Sequence, residues 1–182
     1  MLIIGLSGKR GSGKSTLANY LENVHGFVQV HFADEIRNFA AKMFPFKSSD
    51  FSDIKKKQEK FMTYDWSPRE FLLNLGQFMR YHDADYWLKK GLANCNDNSA
   101  KYVIDDVRFL NEADTIRSTG YGKLVRVNRF VKDNPYGVAP DIDSETQLDN
   151  YKFDYVVEDC WNTSLTGLKR QADSIVDTFC KV

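Results

Sequence analysis

Long apolar runs are missing from this 182-residue chain, so no segment is expected to span a bilayer. The opening Met1–Leu6 is apolar but too short for a signal-peptide core, and no basic flank precedes it. Cysteine is sparse: Cys95, Cys160 and Cys180 are an odd number with no C-x-x-C pair, which argues against a disulfide framework and for free thiols in a reducing compartment. The histidines His25, His31 and His82 lack metal-ligand spacing, and neither G-x-S-x-G nor H-E-x-x-H occurs, so zinc and serine hydrolase chemistry has no signal. A charge excess is missing too. The 25 basic residues match the 25 acidic ones, against a protein that wraps duplex nucleic acid. Repeats, low-complexity tracts and clear linkers are also absent. The expectation is one domain, intracellular and cytoplasmic, with no membrane association and no direct nucleic-acid binding.

What is present is concentrated near the start. Leu2-Ile3-Ile4-Gly5-Leu6 reads as a buried strand, and Leu17-Ala18-Asn19-Tyr20-Leu21 as part of a helix. Between them Gly8, Gly13, Lys14 and Ser15 satisfy G-x-x-x-x-G-K-[ST], in the strand-to-helix setting that the phosphate-binding P-loop requires. Glycines such as Gly8, Gly11 and Gly13 let the backbone take positive φ, so that successive N–H groups, Ser12 and Thr16 included, converge on phosphate oxygens. The following helix adds its positive N-terminal end. Lys14 supplies an ammonium for the terminal phosphates, and the Ser15 hydroxyl is a ligand for Mg²⁺. The motif implies a nucleoside triphosphate without naming the acceptor.

Further along, Phe27–Phe32 alternates as a second strand, and Asp34 is a good N-cap for a helix through Ile36, Phe39, Ala40 and Met43. Arg37 then falls in the first turn, against the helix dipole, so it is either a ligand-side cation or an ordinary surface arginine. Residues 53–62 suggest a short helix whose lysines form a solvated face. Ser67-Pro68-Arg69-Glu70 is a capping box with Pro at the first helical position, and puts Arg69 where a guanidinium and backbone donors could share an anion. The apolar stripe Phe71, Leu72, Leu75, Phe78 and Met79 is expected to be core. Trp87 opens another helix, and either packs inside or faces a base.

Tyr102–Ile104 reads as a buried strand running into Asp105 and Asp106, at the carboxyl end where open α/β sheets gather ligands. These two acids are either metal or substrate groups or members of a structural salt-bridge cluster. Lys123–Val127 and Asp154–Glu158 are the remaining strands, and a helix from about Thr163 carries Leu165, Leu168, Ala172, Ile175, Val176 and Phe179. The loop at about 128–140, with Arg129, is a candidate lid over ATP. Strand and helix alternation predicts an α/β fold with a parallel sheet and a mostly helical insertion. Arg10, Arg37, Arg69 and Arg108 are all expected at one sheet edge, a surplus of cations suited to transfer between two mutually repelling phosphates.

The ordered blocks Gly8–Thr16, Phe32–Arg37, Arg69 with Leu75-Gly76-Gln77, Asp85–Leu88, Val103–Arg108 with Asn111-Glu112, and Ser144-Glu145 before Asp154–Val157 resemble the tailed-phage deoxynucleoside monophosphate kinase family across nearly the whole chain. The resemblance implies a three-layer P-loop kinase fold: a five-stranded parallel sheet flanked by helices. The core would cover about 1–37 and 99–182, and a helical monophosphate-binding insertion about 38–98. It implies an ATP- and Mg²⁺-dependent phosphotransferase acting on a deoxynucleoside monophosphate, as a monomer or homodimer, in the host cytoplasm if phage-encoded. Lys14, Arg10, Arg37, Arg69 and Arg108 would be catalytic. Arg10, Arg37 and Arg69 would hold the acceptor phosphate, Gly76, Gln77 and Trp87 would lie at the nucleoside pocket, and Asp106, Arg108 and Glu112 at its sugar and base side. Arg129 would approach ATP, and Asp34 or Asp105 would reach the metal through water. Two departures stand out: Ser15 replaces an aspartate frequent in the family, and Gln77 a threonine. A kinase of another small phosphorylated acceptor is the nearest alternative, with a nucleotide-dependent ATPase or switch behind it.

Overall fold

A computed structural model describes residues 1–43, 59–60, 65–128, 143–158 and 165–180. The 53–62 helix, apart from Glu59 and Lys60, lies outside these residues, as do Cys160, Arg129 and the lid beyond Asn128. The chain forms two compact units, one of Met1–Val30 with Cys95–Val182 and one of His31–Asn94.

In the first unit β1 (Leu2–Ser7) leads into α1 (Lys14–His25), then β2 (Val28–Val30), β3 (Lys101–Ile104), α5 (Leu110–Ser118), β4 (Gly122–Val127), α6 (Asp143–Thr146), β5 (Tyr155–Val157) and α7 (Leu165–Cys180). All pairings are parallel, in the order β2-β3-β1-β4-β5. The central strand is thus β1, with β3 and β4 on either side, and the sheet order reverses direction there. That is the position where the carboxyl ends of strands open a crevice for ligands.

Burial on both faces explains why β1 is apolar from Leu2 to Leu6 rather than alternating. Ile4 and Leu6 join Leu17 and Leu21 of α1 and Leu168, Ala172 and Ile175 of α7 in one core. The opposite face carries Gly5, where a Cβ would meet Leu124 Cδ2 at 2.8 Å and Ile116 Cδ1 at 3.1 Å. A side chain at Gly5 would therefore push α5 off the sheet.

The second unit holds α2 (Phe32–Met43), α3 (Pro68–His82) and α4 (Tyr86–Leu92). The Asp34 cap expectation is corrected: α2 already begins at Phe32, so Asp34 lies inside the first turn and Arg37 beyond it. Phe32 is buried, and a Cβ on Gly91 would meet its ring at 2.3 Å, so packing of Phe32 against α4 sets the helix start. The capping box is present as read: Glu70 N–H donates to Ser67 Oγ at 3.3 Å, and Ser67 N–H donates to Glu70 Oε2 at 2.7 Å. The stripe on α3 is corrected in part. Phe71 and Leu72 pack with Trp66 around Ala40, but Phe78 is 59% exposed. Gly76, the small residue on the inward side, is buried instead, and the Trp87 indole N–H donates to its carbonyl at 3.2 Å. The close approach of α4 at a glycine leaves the bulky Phe78 on the far side.

Candidate active site

The P-loop is built by three left-handed glycines, Gly8 (φ 153°), Gly11 (φ 79°) and Gly13 (φ 99°). A turn bond from Ser12 N–H to the Lys9 carbonyl (3.1 Å) closes it. Gly13 caps α1 with no side-chain hydrogen bond, so the helix's leading N–H groups keep their direction toward an anion. At its centre Lys14, 8% exposed, donates from Nζ to the Gly8 carbonyl at 2.7 Å and the Lys9 carbonyl at 2.9 Å. A buried ammonium held by carbonyls is strongly oriented, and phosphate oxygens are better partners for it than neutral carbonyls.

One residue on, Ser15 Oγ donates to Asp105 Oδ2 at 2.7 Å. The parallel register places Gly5 beside Ile104, so the residue after β3 comes level with the loop that leaves β1. Asp105 is buried and Asp106 half-buried. The pair fits Mg²⁺: both groups offer hard oxygen, and a hydroxyl that donates its proton to Asp105 still has lone pairs for a cation. Asp34, the other carboxylate expected near the metal, pairs with Arg37 at 2.6 Å within the helical unit.

Arg108 follows on the same loop as Asp105. Glu112, 2% exposed, accepts the backbone N–H groups of Arg108 (2.8 Å) and Phe109 (3.1 Å), and Arg108 Nη1 donates to the Ser144 carbonyl at 3.1 Å. The Glu112 carboxylate thereby caps α5 and shapes the Arg108 loop, a task that its expected place near the sugar and base did not anticipate. Arg10 is half-buried and Thr16 exposed on the P-loop side. In the helical unit Arg69 follows Pro68 in the first turn of α3, Gln77 is exposed, and Gly76 and Trp87 are joined by the indole bond. Arg126 and Asp149 also meet at the P-loop, Asp149 accepting from Lys9 and Arg126, and Arg126 donating to Ser7; neither belongs to a motif, and their signal in the sequence is a charge at the end of β4.

No family model matches the chain. A candidate deoxynucleotide monophosphate kinase of Acanthamoeba polyphaga mimivirus is 30% identical over 147 residues, covering 71% of this chain and 75% of that protein. This chain belongs to that protein's family and is a P-loop kinase.

Among solved structures the kinase is similar to the shikimate kinase of Acinetobacter baumannii, with TM-score 0.46 and 12% identity, covering 99% of this chain and 93% of that one. It is also similar to a sugar kinase from Janibacter sp. HTCC2649, with TM-score 0.45 and 16% identity, covering 100% and 95%. Among the described residues no helix of the kinase is long and apolar enough to cross a membrane. The kinase's Cys95 thiol is pushed up to about 11 by burial, which keeps it protonated and a poor nucleophile at neutral pH.

Proposed function

We propose that this P-loop kinase transfers the γ-phosphoryl group of ATP to the 5′-phosphate of a deoxynucleoside monophosphate, giving the diphosphate and ADP. The observation that carries the reading is the Lys14 and Ser15–Asp105 geometry in a chain 30% identical to a candidate deoxynucleotide monophosphate kinase. The narrower likeness to tailed-phage enzymes supports the same acceptor through its ordered sequence blocks.

The P-loop N–H groups and the α1 N-terminus receive the triphosphate, and Lys14 turns from the Gly8 and Lys9 carbonyls to the transferring phosphate. Ser15 and Asp105 would hold Mg²⁺, which would supply charge neutralisation on the phosphates. An oxygen of the acceptor monophosphate attacks the γ-phosphorus in line; the new P–O bond forms as the bond to the β-phosphate oxygen breaks, and ADP leaves with that electron pair. A phosphate dianion is already nucleophilic, so positioning and charge stabilisation carry the rate without a general base. Following the family resemblance, Arg10, Arg37 and Arg69 are assigned to the acceptor phosphate, and Asp106, Arg108 and Glu112 to the sugar and base side, with Arg108 also among the catalytic cations.

The test is a coupled ADP-release assay across the four deoxynucleoside monophosphates, with ribonucleotides and a no-acceptor control. Acceptor-dependent ADP release with at least one deoxynucleotide is expected. Release at one rate with or without acceptor identifies an ATPase and overturns the reading.

A further inference from the structure

One carboxylate reaches the phosphate loop from far along the chain. Asp149, in the turn after α6, accepts from Lys9 Nζ on Oδ2 at 2.5 Å and from Arg126 Nη2 on Oδ1 at 2.6 Å. Lys9 directly follows Gly8. Arg126 in turn donates from Nη1 to Ser7 Oγ at 3.4 Å, and Ser7 directly precedes Gly8. Asp149 therefore holds the chain on both sides of the first P-loop glycine, once directly and once through Arg126.

The two ties differ in stiffness. The Arg126 side chain is only 12% exposed; its Nε donates to Asn128 Oδ1 at 3.4 Å, and its guanidinium lies 5.7 Å from the Phe153 ring centroid. Lys9 is 48% exposed and so is the adjustable end. Gly8 has no slack of its own, since a Cβ there would meet the Val127 carbonyl oxygen at 2.3 Å. What remains to be fixed is the direction of the Lys9 carbonyl. That carbonyl accepts both the Ser12 N–H at 3.1 Å and Lys14 Nζ at 2.9 Å, so it sets the turn of the loop and the resting place of its ammonium.

We propose that Asp149 is a positioning residue for nucleotide binding: through Lys9 and Arg126 it holds the first turn of the P-loop in the shape that receives the triphosphate. The Lys9–Asp149 pair, with side chains 48% and 38% exposed, adds little to global stability. Its value lies in preorganisation, because a loop already held in its bound shape does not pay the ordering cost at the moment of binding. Asp149 bonds to Lys9 and Arg126, neither of which is assigned to the transferring phosphate, so the effect is expected on nucleotide affinity rather than on the transfer step.

The proposal rests on ATP as the donor, and the experiment separates the two. ATP affinity is measured by titration calorimetry, with KM for ATP, kcat and melting temperature, in wild type, Asp149→Asn, Asp149→Glu, Lys9→Met and the Lys9→Met/Asp149→Asn double variant. Asp149→Asn is expected to weaken ATP binding and raise KM by about three- to tenfold. Its kcat is expected to stay within about twofold, the pattern of lost uniform binding, and its melting temperature within about 3 °C. Asp149→Glu restores most of the affinity, and the double variant loses less than the two single losses combined, because both changes remove one tie. Unchanged ATP affinity in Asp149→Asn, additive losses, or a loss that follows the melting temperature overturns the proposal. Failure of the wild-type protein to bind ATP is a separate result, and overturns the donor assignment as well.

Discussion

Ser15 and Asp105 meet across 2.7 Å, the hydroxyl of the residue after the P-loop lysine donating to a buried carboxylate at the end of the neighbouring strand. The bond spans 90 positions of sequence and brings both oxygens to one point. If that point is where Mg²⁺ is held, Asp105→Ala should raise the Mg²⁺ concentration needed for half-maximal turnover by about 10- to 100-fold, the usual cost in affinity of losing a group that orients or reaches a metal. A Mg²⁺ titration of kcat measures it. A curve superimposable on wild type would remove Asp105 from the metal site.

Lys14 is the cation at the centre of the loop, buried and held by two carbonyls. Lys14→Ala should lower turnover by about 100- to 1,000-fold, comparable to removing one preorganised donor from a transition state. Circular dichroism is expected to show an intact fold. Full activity in this variant would sink the assignment of the P-loop as the phosphoryl-transfer site.

Arg69 lies in the first turn of α3. If it holds the acceptor phosphate, Arg69→Ala raises KM for the monophosphate by about 10-fold or more, in line with a charge-assisted hydrogen bond, while KM for ATP moves much less. Steady-state kinetics with each substrate varied in turn decides it; equal loss on both sides argues against this placement.

The start of α3 makes a stability prediction independent of catalysis. Ser67, 5% exposed, caps the helix, and Ser67→Ala should cost about 1 kcal/mol in urea unfolding. The Glu70 carboxyl is held below its ordinary 4.5 by the Ser67 backbone N–H first and the Ser67 side chain second. With its folded value depressed, the reciprocal bond is in full force above pH 4.5 and is lost as pH falls below it. Unfolding midpoints of wild type and Glu70→Gln should therefore converge as pH falls below 4.5 and through the depressed folded value; a constant gap would count against the bond.

The features legible in sequence are those in which neighbouring residues carry the physics. Gly8 to Ser15 sits on one loop, and its spacing follows from what a backbone must do to surround a phosphate. The capping box at Ser67 is equally local: the donor and acceptor are three residues apart. Structure and sequence pattern part where packing between elements chooses among local options. Asp34 is a sound N-cap by type, yet burial of Phe32 against Gly91 started the helix earlier. Phe78 fits an apolar stripe by spacing, yet α3 turns Gly76 inward and leaves Phe78 outside.

By itself, then, the sequence determined a phosphate-gripping loop between a buried strand and a helix, within an alternating α/β chain, because backbone conformation and hydrophobic period are written in adjacent residues. Only the tertiary structure decided which carboxylates serve that loop. Asp105 reaches Ser15 because β3 lies next to β1 in the sheet. Asp149 reaches Lys9 across 140 positions because the chain after α6 returns to the end of β4. Both partnerships depend on strand order and on which side chains meet in space, and no local pattern of residues encodes either.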